Sequence, residues 1–213
     1  KYRDIAWALQ KRLEEVVLEF LEKHIANDRL SLAGGVALNC KMNGVILKES
    51  GIKDIFIQPA AADSGTSLGA ALELAHKFGY KTKNKMAHAY LGPEYSNEHI
   101  EKSLEISNVS YEYHKDIERI AAELLAKDKI VGWFQGRMEY GPRALGNRSI
   151  LMSPLKNKNK DIINSKVKFR EPYRPFCPSM LYEVMEEYLE DAYESPFMIL
   201  SFNVPKEKQK EIP

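Results

Sequence analysis

The first eighty residues alternate between helical and strand patterns, with glycine at the junctions. Asp4 is suited to cap an amphipathic helix whose apolar side chains recur at helical spacing as far as Leu21. Short apolar runs at 30–33 and 54–58 each lead into a glycine-containing loop, and each loop opens another helical pattern. This order of helix, strand, helix, strand and helix predicts an α/β fold.

The pattern changes beyond residue 80. Residues 81–106 are polar and show no sustained period, so we interpret them as a linker. We therefore predict two domains, at 1–80 and 107–213, and the second has the mixed order of an α+β fold. Its predicted strands are 107–114, 130–136, 148–154 and 196–204, and its predicted helices are 117–126 and 160–168.

Charge and cysteine usage narrow the function classes. Lys and Arg together number 31 against 30 Asp and Glu, which disfavours an extended basic surface for nucleic acid or for an anionic membrane. No apolar run approaches the roughly 20 residues of a membrane span. Cys40 and Cys177 have no CxxC spacing and favour a reducing compartment, for which the cytoplasm is our expectation.

The two strand-to-helix junctions carry the first candidate ligand residues. Gly34 and Gly35 let a ligand approach the backbone, and Asn39 follows at a helix N-terminus that suits a phosphate or ribose. Asp63 and Gly65 occupy the next junction, where Asp63 is either a helix cap or a metal ligand. Because loops at the carboxyl ends of parallel strands converge, both junctions can face one nucleotide. The alternative is that both are ordinary glycine turns.

Basic side chains gather in two later segments. Arg137, Arg143 and Arg148 stand among glycines and a proline that fix the backbone, which is typical of a built anion site. In the second segment basic residues alternate with apolar ones, which predicts one basic face and one buried face. The basic residues there are Lys168, Arg170 and Arg174, and the apolar ones are Val167, Phe169, Tyr173 and Phe176. The structural alternative pairs these arginines with Glu139 and Glu171.

Four stretches together resemble one enzyme family. They are LAGGVALNCKMNG, QPAAADSGTSLGAAL, VGWFQGRMEYGPRALGNRSIL and NSKVKFREPYRPFCPSMLYE, and GPRALGNRS is the most specific part. The chain is similar along nearly its whole length to the NodU/CmcH-type O-carbamoyltransferases. That resemblance implies a partial actin-like ATPase fold, related to the enzyme that transfers threonylcarbamoyl to tRNA, followed by a YrdC-like domain.

The resemblance also implies an activity. Members use ATP and carbamoyl phosphate to make a carbamoyl-adenylate, and then transfer the carbamoyl group to a hydroxyl of a sugar, antibiotic or related metabolite. It implies that the six basic residues clamp carbamoyl phosphate and the ATP phosphates, and that Gly34, Gly35, Asn39 and Gly65 form the nucleotide turns. It further implies that Asp63 joins two histidines in holding a metal, expected to be iron. Cys40 and Cys177 are then core residues and not nucleophiles.

The family's paired metal-binding histidines are absent from this sequence, so we expect an internal piece that is inactive alone. The expected partner is a small hydroxyl acceptor, and a homodimer stays open. Two other functions are kept as alternatives. One is an RNA-modifying enzyme of the tRNA threonylcarbamoylation type, which would show salt-sensitive tRNA binding. The other is a non-catalytic nucleotide-binding fragment, in which the arginines are structural.

Overall fold

The computed structural model describes residues 2–82 and 86–212 and divides them into two compact units. The first comprises the described residues up to Ala89, together with 141–143 and 182–203. The second comprises Tyr90–Tyr140, Ala144–Leu181 and the residues from Val204 onward. Residues 83–85 of the predicted linker lie outside the described chain, as do Lys1 of the first predicted domain and Pro213 of the second. The division at 81–106 stays a prediction.

The first unit begins with the predicted order of elements. It contains α1 (Tyr2–His24), β1 (Arg29–Leu32), α2 (Cys40–Glu49), β2 (Asp54–Ile57) and α3 (Thr66–Lys77). The two strands pair in parallel with Leu30 opposite Ile55, and α1 packs against α2. The α/β class is therefore confirmed, while the actin-like and YrdC-like architectures stay predictions.

The core of the first unit lies between the strand pair and α2. Ile55 and Ile57 alternate with exposed residues along β2, while Met42 and Ile46 on α2 are buried. Asn43 is fully buried among them and donates from Nδ2 to the carbonyls of Ala37 and Ile199, each at 2.8 Å. A polar side chain thereby joins α2 to a segment 156 residues later in the chain.

The predicted strand at 196–204 is wrong. Phe197 and Ile199 are buried as a strand pattern requires, but Met198 has a left-handed φ of 55° that interrupts the extended backbone. The carbonyl of Ile199 bonds to the side chain of Asn43 and not to a neighbouring strand. The segment instead packs closely on α2, because a Cβ at Gly44 would lie 2.4 Å from the carbonyl oxygen of Ser201.

The second unit contains α4 (Asn97–Ile106), α5 (Ile117–Ala126), β3 (Val131–Phe134), β4 (Arg148–Leu151) and α6 (Lys158–Ile163). The strands are antiparallel, with Phe134 opposite Arg148. Strand and helix predictions at 117–126, 130–136 and 148–154 are confirmed, whereas the helix at 160–168 starts earlier and ends in a π turn, Asn164–Lys168. Later in the chain, the short helix α7 (Met185–Tyr188) belongs to the first unit.

Residues 81–106, whose interpretation as a linker stays a prediction, contain α4, and the Ser96 cap of α4 accepts a bond from the amide of His99 at 3.2 Å. One sequence prediction in the second unit is wrong. The predicted strand at 107–114 joins no sheet within the described residues, and Tyr111 and Tyr113 are exposed. Alternation alone does not make a strand, because a strand also needs a neighbour that completes its backbone hydrogen bonds. None of the helices in the described ranges has the length and hydrophobicity needed to span a membrane.

Candidate nucleotide and anion sites

The first glycine junction is open to solvent. Gly34 has a φ of 96°, which favours glycine, and its amide donates to the carbonyl of Ala61 at 2.7 Å. A Cβ added at Gly34 or Gly35 would meet no atom within 4 Å. The turn is therefore exposed and uncrowded, and its contact with a nucleotide stays a prediction.

Asn39 begins α2. Its Oδ1 accepts from the amide of Met42 at 3.1 Å, and its Nδ2 donates to Oε1 of Gln10 on α1 at 2.8 Å. These bonds satisfy one of the free amides of the helix N-terminus and hold α1 and α2 together. Asn39 thus sets the position of the helix end behind the open turn.

The second junction is closed at Gly65. A Cβ there would lie 1.9 Å from Nε2 of Gln58 and 2.2 Å from the carbonyl oxygen of Ala60, so packing within the chain requires glycine. The Gln58 side chain is itself fixed by two bonds to the backbone of Ala60. Gly65 is buried beneath the turn, whereas the predicted ligand contact at this position stays a prediction.

Asp63 lies at the exposed start of the same turn. Its backbone carbonyl accepts from the hydroxyl of Thr66 at 2.6 Å. Across residues 2–82 and 86–212, no three His, Cys, Asp or Glu side chains come close enough to hold a metal. The residues that the structure describes therefore do not form a metal site by themselves.

A buried carboxylate organises the loop that joins β3 to β4, which we call the Glu139 loop (residues 135–148). Oε1 of Glu139 accepts from the amides of Leu145, Asn147 and Arg148 at 2.7, 2.8 and 3.1 Å. Burial by itself raises the pKa of Glu139, but these amides and its own backbone N–H lower it, so that the pKa lies below its ordinary value. Glu139 is bound by the backbone and not by an arginine, contrary to the structural alternative.

Arg137 and Arg148 both lie against the carbonyls of residues 91–93. Arg137 donates from Nε to Gly92 at 3.1 Å and from Nη2 to Leu91 at 3.2 Å. Arg148 donates from Nη2 to Pro93 at 3.5 Å and from both Nη atoms to the backbone of the Glu139 loop. Its Cζ also lies 3.5 Å from the ring centroid of Phe134. Two of the predicted cations therefore bind the same three-residue segment.

Arg143 belongs to the first unit. Two residues earlier, Gly141 has a φ of 106°, and a Cβ added there would lie 3.0 Å from the carbonyl oxygen of Pro59. Arg143 is half-buried, and its Nε is buried without a hydrogen-bond partner in the described chain. An unpaired buried donor is costly and uncommon, and the role of Arg143 in anion binding stays a prediction.

The second basic segment forms the Asn164 loop (residues 164–176). Asn164 is 1% exposed; its Oδ1 accepts from Nε of Arg170 at 2.7 Å and its Nδ2 donates to the carbonyl of Arg174 at 3.0 Å. Arg174 pairs with Glu171 at 2.8 Å, so this half of the structural alternative is present. Lys168 ends the π turn and is exposed.

The predicted buried aromatic face of this loop is wrong. Phe169 has a left-handed φ of 47° and is 83% exposed, and Tyr173 is also exposed. Phe176 is partly exposed, with its ring centroid 4.5 Å from Cζ of Arg170. The π turn and the left-handed residue break the strand-like alternation on which the prediction rests. Cys177 is likewise exposed and not a core residue, while Cys40 is half-buried.

The side chains at the centres of these loops are not evident from the sequence pattern. There, Glu139 stands out only as a partner for arginine, and Asn147 and Asn164 do not stand out at all. The available signal is that Glu139 is the one acidic residue among the glycines and arginines of 136–148. Nothing in the sequence distinguishes Asn164 from an exposed asparagine.

Comparison with known families gives the chain its relationship. The family described as Carbamoyltransferase N-terminus matches residues 1–72, and the family described as Carbamoyltransferase C-terminus matches residues 122–213. Both halves of one family are therefore found in the expected order, together covering most of the chain. The chain belongs to the carbamoyltransferase family.

The relatives of this carbamoyltransferase-family chain include nodulation proteins and a cephem O-carbamoyltransferase. Nodulation protein NolNO of Sinorhizobium fredii is 42% identical, with 99% of this chain and 32% of the relative aligned. Nodulation protein NolO of Bradyrhizobium diazoefficiens is 44% identical over 89% and 36%. The 3'-hydroxymethylcephem-O-carbamoyltransferase of Streptomyces clavuligerus is 30% identical over 93% and 37%. The chain thus spans about a third of the length of these relatives.

Proposed function

We propose that this chain is part of an ATP-dependent O-carbamoyltransferase that takes its carbamoyl group from carbamoyl phosphate. The family membership supports this assignment, as does the name of the cephem O-carbamoyltransferase among its relatives. The structural observation that carries it is that the guanidinium groups of Arg137 and Arg148 both bind carbonyls of residues 91–93.

In this proposal the chain supplies charge and position. Acyl-phosphate chemistry needs neutralisation of the departing phosphate more than a protein nucleophile. Arg137 commits Nε and one Nη2 hydrogen to the backbone, so it keeps N–H groups for a phosphate oxygen. In the same unit Lys168 is exposed and is a further donor, while Arg148, Arg170 and Arg174 supply fixed positive charge. Arg143 is assigned to anion binding by its motif alone.

The nucleotide is assigned to the open turn at Gly34 and Gly35. The accessible backbone there and the start of α2 behind it supply N–H groups for an ATP phosphate. Water cleaves carbamoyl phosphate to carbamate and phosphate, and a carbamate oxygen bonds to the α-phosphorus of ATP while pyrophosphate leaves with the electron pair. The resulting carbamoyl-adenylate then gives its carbamoyl group to the acceptor. The acceptor oxygen bonds to the carbamoyl carbon, the bond from that carbon to the AMP oxygen breaks, AMP leaves with the electron pair, and the hydroxyl proton is released.

The remaining parts of the proposal concern partners and compartment. We assign a small hydroxyl compound as the acceptor and leave open a homodimer. We also propose the cytoplasm, because Cys40 and Cys177 form no disulfide in the described chain, and reducing compartments preserve thiols. Iron is proposed only for the full-length protein, since Asp63 has no companion ligands in the described chain.

Turnover by the full-length protein tests this proposal. We expect ATP-dependent consumption of carbamoyl phosphate, and near-complete loss of it in Arg137→Ala and Arg143→Ala. Arg119→Ala is the matched control, because Arg119 is an exposed arginine on α5 that pairs with Asp116 and Glu123. Absence of turnover in the wild type, or full activity in both arginine variants, would overturn the proposal. Tight, salt-sensitive tRNA binding would favour the RNA-modifying alternative.

A further inference from the structure

The Glu139 loop contains a carboxylate that the proposed reaction does not use. Glu139 is 6% exposed, and no ion pair of the described residues involves it. Burying a carboxylate is costly unless hydrogen bonds replace its water. Here three amides converge on Oε1, at distances from 2.7 to 3.1 Å. Bonds to a charged acceptor are about twice as strong as neutral ones, so the carboxylate fixes these amides firmly.

Two of the three amides lead directly to the paired arginines. The amide of Arg148 is itself bound, which fixes the point from which the Arg148 side chain extends. The neighbouring Asn147 donates from Nδ2 to the carbonyl of Arg137 at 2.7 Å, which fixes the other arginine. The carbonyl of Asn147 also accepts from Nη1 of Arg148 at 2.8 Å. One carboxylate is thus connected through Asn147 to both guanidinium-bearing residues.

The rest of the loop offers no substitute for this anchor. Gly136 and Gly146 have positive φ angles, at which the backbone is available chiefly to glycine and is not held by any side chain of their own. The hydroxyl of Tyr90 binds the carbonyl of Leu145, and the hydroxyl of Ser149 binds the amide of Gly146. These bonds secure the edges of the loop, whereas only Glu139 gathers Leu145, Asn147 and Arg148 at one atom.

We propose that Glu139 is a positioning residue for the anion clamp formed by Arg137 and Arg148, and that it holds these two arginines in the arrangement that binds carbamoyl phosphate. This inference rests on the proposed function. Glu139 does not touch the substrate in this proposal, and it acts through the backbone amides and Asn147. Displacement of a substrate-positioning group by about 1 Å lowers activity by as much as about a hundredfold, so a loosened loop has a measurable effect.

The test uses the full-length enzyme and the Glu139→Gln variant. The amide side chain keeps the size of glutamate, but it loses the charge and offers one acceptor oxygen in place of a carboxylate. We expect the KM for carbamoyl phosphate, measured by phosphate release, to rise by about tenfold or more. Calorimetry with carbamoyl phosphate should show a matching rise in Kd. A merely structural role would lower the amount of active enzyme and leave this KM unchanged.

A second variant covers the case in which Glu139→Gln does not fold. Asn147→Ala leaves the carboxylate and its three amide bonds in place but removes the bond to Arg137. It should also raise the KM for carbamoyl phosphate, and in the double variant the two effects should not add. Glu118→Gln is the matched control, because Glu118 is an exposed glutamate on α5 of the same unit.

The possible outcomes separate the two proposals. A wild-type enzyme that does not use carbamoyl phosphate overturns the proposed function and this inference with it. A wild type that turns over carbamoyl phosphate, together with an unchanged KM in folded Glu139→Gln or in Asn147→Ala, overturns the positioning role alone. Raised KM values that fail to add in the double variant support both.

Discussion

The two basic loops of the second unit are built around different kinds of buried group. The Glu139 loop closes on a carboxylate that accepts three backbone amides. The Asn164 loop closes on a neutral side chain that accepts from Arg170 and donates to the carbonyl of Arg174. In both loops the central residue holds arginines in place, but only the first makes this depend on an ionised group.

That difference changes what each loop can tolerate. A buried carboxylate is strongly bound only while it is charged, so the Glu139 loop is rigid at neutral pH and sensitive to acid. A buried amide binds less strongly and does not titrate. The second loop carries its charges on the surface instead, where Arg174 and Glu171 are each about half exposed and are screened by solvent.

Removal of the Glu139 carboxylate has the largest expected effect. Glu139→Ala leaves three backbone amides without an acceptor, one of them buried and two partly buried, and an unsatisfied buried group costs about 1–3 kcal/mol. We expect the free energy that protects the amides of residues 145–148 from hydrogen exchange to fall by about 3–5 kcal/mol in the full-length protein. If these amides in Glu139→Ala were as protected from hydrogen exchange as in the wild type, the Glu139 loop would not depend on its carboxylate, and the proposed difference between the two loops would be wrong.

Loss of the Asn164 side chain has a smaller expected effect. Asn164→Ala leaves Nε of Arg170 and the carbonyl of Arg174 without this partner, and we expect a loss of about 1–3 kcal/mol in protection of residues 164–174. Asn157→Ala is the matched control, since Asn157 is exposed and its side chain makes no capping bond to α6. An effect larger than that of Glu139→Ala would reverse the comparison.

Acid should separate the two loops. The pKa of Glu139 is lowered in the folded protein, so its contribution to stability is fully present above the ordinary glutamate pKa of about 4.3 and is lost as the pH falls through the lower folded value. As the pH falls, the protection of the wild-type Glu139 loop from hydrogen exchange should decrease. The difference in protection between wild type and Glu139→Gln should shrink at the same time, because a protonated glutamate is neutral like glutamine. Equal differences at about pH 7 and about pH 3 would contradict this prediction.

The exposed ion pair should have the smallest effect. In Glu171→Gln the bond from Arg174 is weakened, but both side chains lie half in solvent, so we expect no measurable change in stability. The comparison is made by urea denaturation at about 0.1 M and about 1 M salt, where screening differs. A clear, salt-dependent loss would show that the Asn164 loop also relies on charge.

The spacing of apolar residues and the positions of glycines predict several helices and strands of the structure. The apolar spacing in α5 predicts its limits, and the glycine junctions predict the order of β1, α2, β2 and α3. The pattern fails at 107–114 and 196–204, where strand-like alternation meets no pairing strand in the described chain. It also misses α4, because most residues of that short helix are polar and only Ile100, Leu104 and Ile106 mark its apolar side after the Ser96 cap.

For the candidate site, too, the sequence predicts one part and only the structure shows the other. The residue types indicate anion binding, which stays a prediction, and they distinguish the two arginine segments from an ordinary charged surface. The partners of these arginines are not predictable, since Arg137 binds carbonyls 45 and 46 residues earlier in the chain and Arg148 binds one 55 residues earlier. Nor does the alternation of the Asn164 loop reveal the left-handed residue at Phe169, which removes the expected buried face.

The sequence by itself determined the α/β class, the family and the concentration of arginine between residues 137 and 174. These follow from composition, spacing and motif, which are local properties of the chain. Only the tertiary structure decided that Glu139 binds three amides, that Asn164 fills the centre of the second loop, and that Gly65 is enclosed while Gly34 and Gly35 are open. Each of these depends on which distant backbone groups meet a side chain after folding, and the chemistry of a residue does not reveal that geometry.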